Sequence, residues 1–274
     1  MTEERNARAA RIGDLPVTEL LELMNDEDTL VAAAVRAAVP RIAAAVDVIV
    51  ARLSAGGRLR YVGAGTSGRL GVLDASEAPP TFGTDPDLVL GVIAGGDTAL
   101  RRASEGAEDD AAAGARDVAA VTRAGDGVVG ISASGRSAYV IAALGEAARL
   151  GASTNALTCA PDSALARAAE IVIAVPVGPE VIAGSTRLKA GTATKLVLNM
   201  LSTATMVRLG RTRGDLMIDV RAGSAKLRER AIAMVRAETG LDEPAARARL
   251  EASAWSVRRA IQGDGLPGSP ARDG

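Results

Sequence analysis

Three glycines with two hydroxyl side chains between them form the first stretch of the chain that could do chemistry. Residues 61–71 read YVGAGTSGRLG, in which Gly63, Gly65 and Gly68 have the G-x-G-x-x-G spacing of a dinucleotide-binding turn. A dinucleotide site also needs an acidic residue about 20 positions later, at the end of the second strand, to bind the ribose hydroxyls. The corresponding stretch here reads VIAGGD, with glycines where the acid should stand and Asp97 after them. The glycine spacing is therefore weak support for a nucleotide site.

The contents of this stretch favour an anion. Thr66 and Ser67 follow Gly65 at a predicted strand-to-helix turn, where free backbone N–H groups and the positive end of a helix attract negative charge. A second turn, SASGRS, follows the third predicted strand and has the same character through Ser132, Ser134, Gly135 and Ser137. Helix capping alone explains any one of these hydroxyls. Two such turns on neighbouring strand ends predict a shared phosphate site that needs neither lysine nor metal.

The absence of histidine restricts the chemistry further. The 274 residues include no His, which excludes Ser-His and Cys-His catalytic pairs and histidine metal sites. Acid–base catalysis would have to come from carboxylates, lysine or tyrosine. We expect no metal and no cofactor.

Charge and composition bear on partners and location. The net charge is −1, with 32 basic and 33 acidic residues and no basic stripe, which argues against nucleic acid as a partner. The single Cys159 cannot form a disulfide within the chain. The N-terminal residues lack an apolar signal core, and no apolar run approaches the ~20 residues that cross a bilayer. We expect a soluble, cytoplasmic protein that does not bind membranes.

Hydrophobic patterning predicts the strands and helices that position these turns. Short apolar runs rich in β-branched residues alternate with alanine-rich stretches of helical length. The runs occupy residues 58–65, 88–96, 127–135, 152–161 and 170–178. Alternating strands and helices predict an α/β fold with a parallel sheet covered on both faces. Ligands of such sheets bind at the carboxyl ends of the strands, where both hydroxyl-rich turns fall.

Helices are predicted on both sides of the strand region. Residues 17–54 have helical periodicity and are predicted as two or three helices, with NDED at 25–28 capping one and Pro40 in the first turn of another. A long helix is predicted from Thr186 to Leu209, and three short ones within 224–262. The predicted domains are N-terminal helices at 1–54, a core at 55–222, a small helical domain at 223–262 and a disordered tail at 263–274.

Longer stretches around the turns resemble a known family. The two loops are similar to those of the sugar isomerase (SIS) domain, a phosphosugar-binding fold. The stretches GAGTSGRLGVLDASEAPPTFG (63–83), IAGGDTALRRASEGAEDD (93–110) and GSTRLKAGTATKLVLNMLST (184–203) resemble the N-acetylmuramic acid 6-phosphate etherases of bacterial cell-wall recycling. The resemblance extends over roughly residues 15 to 262. It implies a SIS-type, doubly wound, five-stranded parallel sheet in a homodimer.

The resemblance also implies an activity and site residues. The family converts a sugar 6-phosphate with a D-lactyl ether at C3 into N-acetylglucosamine 6-phosphate and D-lactate, by elimination followed by hydration. Glu77 matches the proton donor of the family, and Glu108 matches its other catalytic carboxylate. Ser185 and Lys189 match a segment that approaches the sugar.

The residues themselves leave alternatives open. Glu77 could simply end a helix, and Glu108 could be a solvated acid, with Glu105 as its rival. The segment with Lys189 could equally belong to a dimer interface. Arg69 and Arg136, which flank the two loops, could each pair with phosphate or be exposed.

Two other functions remain open at this point. A non-catalytic phosphosugar sensor would share the loops, although the similar eukaryotic glucokinase regulator has two SIS domains in a longer chain. An aldose-ketose phosphosugar isomerase would share the phosphate site and use a carboxylate base without releasing lactate.

Overall fold

The five predicted strands form one parallel sheet in the computed structural model, which describes residues 4–220 and 224–263. The strand order is β2-β1-β3-β4-β5, and each neighbouring pair is parallel. The strands are β1 (Leu59–Gly63), β2 (Val89–Ile93), β3 (Gly127–Ile131), β4 (Ser153–Thr158) and β5 (Ile171–Ala174). The predicted α/β fold and five-stranded sheet are confirmed.

Helices connect and flank the strands. Within the described residues they are α1 (Val17–Ser54), α2 (Gly65–Phe82), α3 (Thr98–Arg101), α4 (Ala111–Val121), α5 (Ala138–Arg149), α6 (Ala164–Arg167), α7 (Lys189–Arg208), α8 (Ala225–Thr239), α9 (Glu243–Ala252) and α10 (Val257–Gln262). Short 3-10 turns occupy Ala7–Ala9, Ile12–Asp14 and Ala107–Asp109. None of the helices in the described ranges is long and apolar enough to cross a membrane.

The sheet is doubly wound, which places the site. From β1 the chain moves to β2 at one edge, and from β3 it moves through β4 to β5 at the other edge. All residues of β1, β3 and β4 are buried, as expected for strands covered on both faces. The switch in direction lies between β1 and β3, and ligands of such sheets bind outside the carboxyl ends at this point. The two hydroxyl-rich turns follow these two strands.

Residues 17–54 form a single helix, so the prediction of two or three helices is wrong. The NDED stretch and Pro40 both lie inside α1. An interior proline costs about 3 kcal/mol because it removes a hydrogen bond. Pro40 is exposed, so the unpaired carbonyl of Arg36 can reach water. The buried stripe continues on both sides of it, through Val31, Val35, Ala38, Ile42, Ala45 and Ile49. Burial of this long stripe outweighs the local penalty.

The chain divides into two compact units. The first comprises Met1–Ser76 and Asp87–Thr205, and the second comprises Glu77–Pro86 and Met206–Gly274. The second unit contains the three predicted short helices, α8 to α10, around its own core of Ile232, Val235, Ala246, Leu250 and Val257. The predicted boundary between 222 and 223 lies outside the described residues, as does the predicted tail after residue 263.

Candidate functional site

Glycines at the end of β1 and in the first turn of α2 allow the helix to start directly at the strand end. A Cβ atom on Gly63 would lie 2.6 Å from the backbone nitrogen of Gly68, and one on Gly68 would lie 2.7 Å from the Gly63 oxygen. Gly65 has φ +53°, a left-handed conformation that favours glycine. Gly63 and Gly68 are therefore required for close packing, and Gly65 for the turn.

The turn after β3 is held by its own hydroxyls. The Ser132 Oγ accepts a hydrogen bond from the Gly135 N–H at 3.1 Å, and the Ser134 Oγ accepts one from the Arg136 N–H at 3.3 Å. Gly135 has φ +65°, and a Cβ there would collide with the Ser163 side chain. These contacts hold the loop in the conformation described.

Ser137 links this turn to the segment that carries Glu108. It is the N-cap of α5, and its Oγ donates to the backbone oxygen of Glu108 at 3.1 Å. Glu108 lies in the 3-10 turn Ala107–Asp109, and its side chain is exposed. The turn after β3 therefore fixes the backbone of one predicted catalytic carboxylate.

The two turns meet around a cavity of about 200 Å³, called the first cavity below. Its described lining consists of Ala64, Gly65, Thr66, Ser67, Glu108, Ile131, Ser132, Ala133, Ser134, Ser137, Gly184 and Thr186. No lysine or arginine is among these described residues. Hydroxyls and backbone groups can thus surround an anion here, and phosphate binding by the two loops stays a prediction.

A second cavity of about 200 Å³ adjoins the first. The two share Ala64, Gly65 and Glu108 in their walls. The remaining lining of the second cavity comprises Arg69, Ala94, Ala99, Ala103, Ser104, Glu105, Gly106 and Ala107. Glu108 borders both cavities, whereas its rival Glu105 borders only the second.

The remaining predicted residues do not all line the first cavity. Gly135 shapes the turn without belonging to the lining. Gly184 and Thr186 belong to the lining, but Ser185 between them does not. Arg136 is exposed. Glu77 is exposed in the later part of α2 and belongs to the second unit, so its catalytic role stays a prediction.

Lys189 is buried in an ion pair. Its Nζ lies 2.5 Å from Oε2 of Glu27, and the two residues are 2% and 4% exposed. Arg8 Nη1 contacts the other oxygen of Glu27 at 3.1 Å. Burial alone would raise the pKa of Glu27, but the hydrogen bond and charge of Lys189 bring it below its ordinary value. The predicted contact of Lys189 with the sugar has no support in the structure, because its ammonium is already paired.

Glu27 comes from the NDED stretch, which was predicted to cap a helix. Its actual partner is 162 positions away in the sequence. No local pattern signals such a pair, so sequence reasoning missed it.

Glu180 is a second buried carboxylate that sequence reasoning missed. It is fully buried, and its two oxygens accept hydrogen bonds from the backbone N–H groups of Lys189 at 3.1 Å and Ala190 at 3.0 Å. Burial raises its pKa, against the effect of these hydrogen bonds. The Glu180 carboxylate caps the start of α7. This cap explains why the helix begins at Lys189, three residues after the predicted start at Thr186.

Asp74 is a third buried carboxylate, on α2. Its Oδ1 accepts hydrogen bonds from Asn199 Nδ2 at 2.8 Å and from Ser202 Oγ at 3.1 Å. Burial raises the pKa of Asp74 despite these donors. Asp74 thus joins α2 to the middle of α7 through neutral partners.

Comparisons with known proteins identify the family. Residues 41–148 match the glucokinase regulatory protein N-terminal SIS domain, and residues 107–204 match the SIS domain. N-acetylmuramic acid 6-phosphate etherases are similar over almost the whole chain. The protein from Symbiobacterium thermophilum is 58% identical over 95% of this chain and 87% of its own length. The chain belongs to the N-acetylmuramic acid 6-phosphate etherase family.

Other etherases match this chain over a similar length. The protein from Gloeobacter violaceus is 56% identical over 95% of this chain and 86% of its own length, and that from Streptomyces avermitilis is 53% identical over 95% and 84%. The resemblance stated from the sequence is confirmed.

Solved structures share the fold of this etherase family member. Phosphoheptose isomerase from Neisseria gonorrhoeae has a TM-score of 0.55 at 23% identity, covering 69% of this chain and 98% of its own. The phosphoheptose isomerase from Francisella tularensis has a TM-score of 0.54 at 19% identity, covering 70% and 100%. At these identities the likeness concerns the SIS-type fold, which is confirmed.

Proposed function

We propose that this chain is a carbon–oxygen lyase that cleaves the D-lactyl ether of N-acetylmuramic acid 6-phosphate. The products are N-acetylglucosamine 6-phosphate and D-lactate, in the recycling of cell-wall amino sugars. One observation carries the proposal: a cavity lined by the hydroxyls of both loops has Glu108 in its wall, in a chain 58% identical to a named etherase.

The first cavity suits the sugar phosphate. The α2 and α5 helices begin beside it, so their free N–H groups and the side chains of Thr66, Ser67 and Ser134 can donate to phosphate oxygens. Ser132 and Ser137 are largely committed to holding the loop. Neutral donors can bind the phosphate dianion without a cation.

The reaction needs only proton transfers. An alkyl ether is a poor leaving group, but the C2 proton becomes acidic once the sugar opens to its aldehyde. A carboxylate removes that proton, the C3–O bond breaks, and the departing oxygen takes a proton to give lactate. Water then adds its oxygen to C3 and a proton returns to C2. We assign these transfers to Glu77 and Glu108, with Glu77 as the donor to lactate; acid–base catalysis of this kind contributes about 10²–10⁴-fold.

We also propose that the protein is cytoplasmic and acts as a homodimer without metal or cofactor. The family resemblance supports the dimer. Size measurement in solution tests it, and a monomeric active enzyme would contradict it.

The activity test is release of D-lactate from N-acetylmuramic acid 6-phosphate by the purified protein. In isotopically labelled water, elimination and hydration place solvent oxygen at C3 and solvent hydrogen at C2. Cleavage at the lactyl carbon would leave the C3 oxygen unlabelled. Binding without lactate release would favour the sensor, and ketose formation would favour the isomerase.

Three variants test the residues. Glu77→Gln should lose turnover by about 10²-fold or more while still binding the sugar phosphate. Ser134→Ala should weaken binding about tenfold with little change in kcat, since one hydrogen bond to a charged group is lost. Glu108→Gln with full activity would transfer its role to Glu105.

A further inference from the structure

Arg69 is the one cation among the described residues that line the two adjoining cavities. It is half-buried on α2, and its Nε and Nη2 donate to the backbone oxygens of Leu100 and Arg102, both at 3.2 Å. A guanidinium has five N–H donors. These two bonds fix its plane and leave donors on Nη1 and Nη2 for a ligand.

The second cavity combines this cation with an apolar wall. Five alanines contribute to it: Ala64, Ala94, Ala99, Ala103 and Ala107. The carboxylates of Glu105 and Glu108 also border it, so an anionic group entering the cavity would be repelled unless a cation faced it. Arg69 supplies that cation, and the alanines offer room for a methyl group.

The proposed substrate has one substituent that carries both an anionic group and a methyl group. The D-lactyl substituent carries a carboxylate and a methyl on the same carbon. Its ether carbon lies several bonds from the phosphorus, so a sugar with its phosphate in the first cavity must extend beyond that cavity. The second cavity shares the wall that contains Glu108, where the bonds at C2 and C3 must lie for the reaction to occur.

We infer that the second cavity binds the D-lactyl group, with its carboxylate on Arg69 and its methyl against the alanines. Arg69 is thus a specificity-determining residue that recognises the leaving group, and it is not a phosphate ligand. This inference rests on the proposed function. A planar guanidinium fixed by two carbonyls can bind a carboxylate in bidentate fashion, which a lysine at this position would not reproduce.

The test compares the natural substrate with its uncharged lactyl amide. Wild-type enzyme should prefer the acid by about 10- to 100-fold in kcat/KM, the range expected for hydrogen bonds to a charged group. Arg69→Met should reduce this ratio to near one, and Arg69→Lys should retain part of it. Because each ratio is measured within one preparation, it does not depend on how much of a variant has folded. Arg101→Met, which removes an exposed arginine of the neighbouring α3, should keep the wild-type ratio.

Binding of N-acetylglucosamine 6-phosphate, which lacks the lactyl group, provides the second readout. Its Kd should be unchanged in Arg69→Met and raised about tenfold in Ser134→Ala. An equal loss of affinity in both variants would make Arg69 a phosphate ligand and overturn the inference. A wild-type acid-to-amide ratio in Arg69→Met would also overturn it.

Failure of the proposed function is distinguishable from failure of this inference. No lactate release by the wild type would remove the lyase assignment. The affinities of acid and amide for wild type and Arg69→Met would still decide whether Arg69 binds the lactyl carboxylate.

Discussion

Buried carboxylates attach helix α7 to the rest of its unit at two places, and the carboxylates have different kinds of partner. At its start, Glu27 of α1 meets the charged Lys189 in the interior. Midway along, Asp74 of α2 meets the neutral Asn199 and Ser202. An ion pair removed from water is strong only while both charges are present. The hydrogen-bond partners of Asp74 are uncharged, so the two attachments should contribute different amounts to the free energy of unfolding.

Lys189→Met should have the largest effect. It leaves the Glu27 carboxylate buried without its lysine, with Arg8 and the side chain of Asn6 as remaining partners, and breaking a buried pair costs about 3–5 kcal/mol. Because Arg8 remains, we expect about 3 kcal/mol in the free energy of unfolding, measured in urea. Arg36→Met, at an exposed position of α1, should change it by less than about 0.5 kcal/mol.

A second substitution checks the cause. Adding Glu27→Gln to Lys189→Met removes the uncompensated charge and should recover part of the lost stability. A double variant with the same stability as Lys189→Met would mean that packing of the lysine stem, and not charge, causes the loss.

Asp74→Ala should have a smaller effect, about 2 kcal/mol. Asn199 and Ser202 would lose a buried acceptor, and an unsatisfied buried donor costs about 1–3 kcal/mol. Asp74→Asn keeps one oxygen for these donors and should cost less than Asp74→Ala. Equal losses in the two variants would show that Oδ1 contributes little.

The responses of the two attachments to pH should have opposite signs. The pKa of Glu27 is lowered, so the stability its pair contributes is present above its ordinary pKa and is lost as pH falls through the folded value. The pKa of Asp74 is raised by burial, so the protein loses stability as pH rises from the ordinary pKa through the folded value.

The pH dependence of stability is the smallest of the expected effects, and it is measured by comparing variants with the wild type. From acidic to neutral pH, the stability gap between wild type and Glu27→Gln should widen. Over the same range, Asp74→Asn should gain relative to wild type. Unfolding free energies at several pH values measure both trends, and parallel trends would contradict the contrast.

The sheet and the hydroxyl-rich turns could be predicted from the sequence because their signals are local. Strands buried on both faces read as continuous apolar runs, and the turns after β1 and β3 carry their hydroxyls within a few residues. The fold then brings Ser67 and Ser134 to one cavity because both strands end at the same edge.

The buried carboxylates could not be predicted because their partners are distant in sequence. Glu27 and Asp74 lie in helices, where an acid is ordinarily solvated, and nothing local marks Lys189 or Asn199 as a partner. The segment with Lys189 resembles one that approaches the sugar in the family, and nothing in it signals the ion pair of Lys189 with Glu27. Pro40 predicts a helix start because the local preference of proline for the first turn is strong. The burial of the long apolar stripe of α1 outweighs that preference.

The first cavity has no cation in its described lining, and this has a consequence for the rate at which substrate arrives. Hydroxyl and amide dipoles act over shorter distances than a full charge, so this lining cannot draw a phosphate in from afar. Capture there should depend on collision and orientation. Because Glu108 is the one charged side chain in the described lining, added salt should not slow it. Departure of the phosphorylated product is correspondingly easy, because no buried cation has to be left behind without its anion.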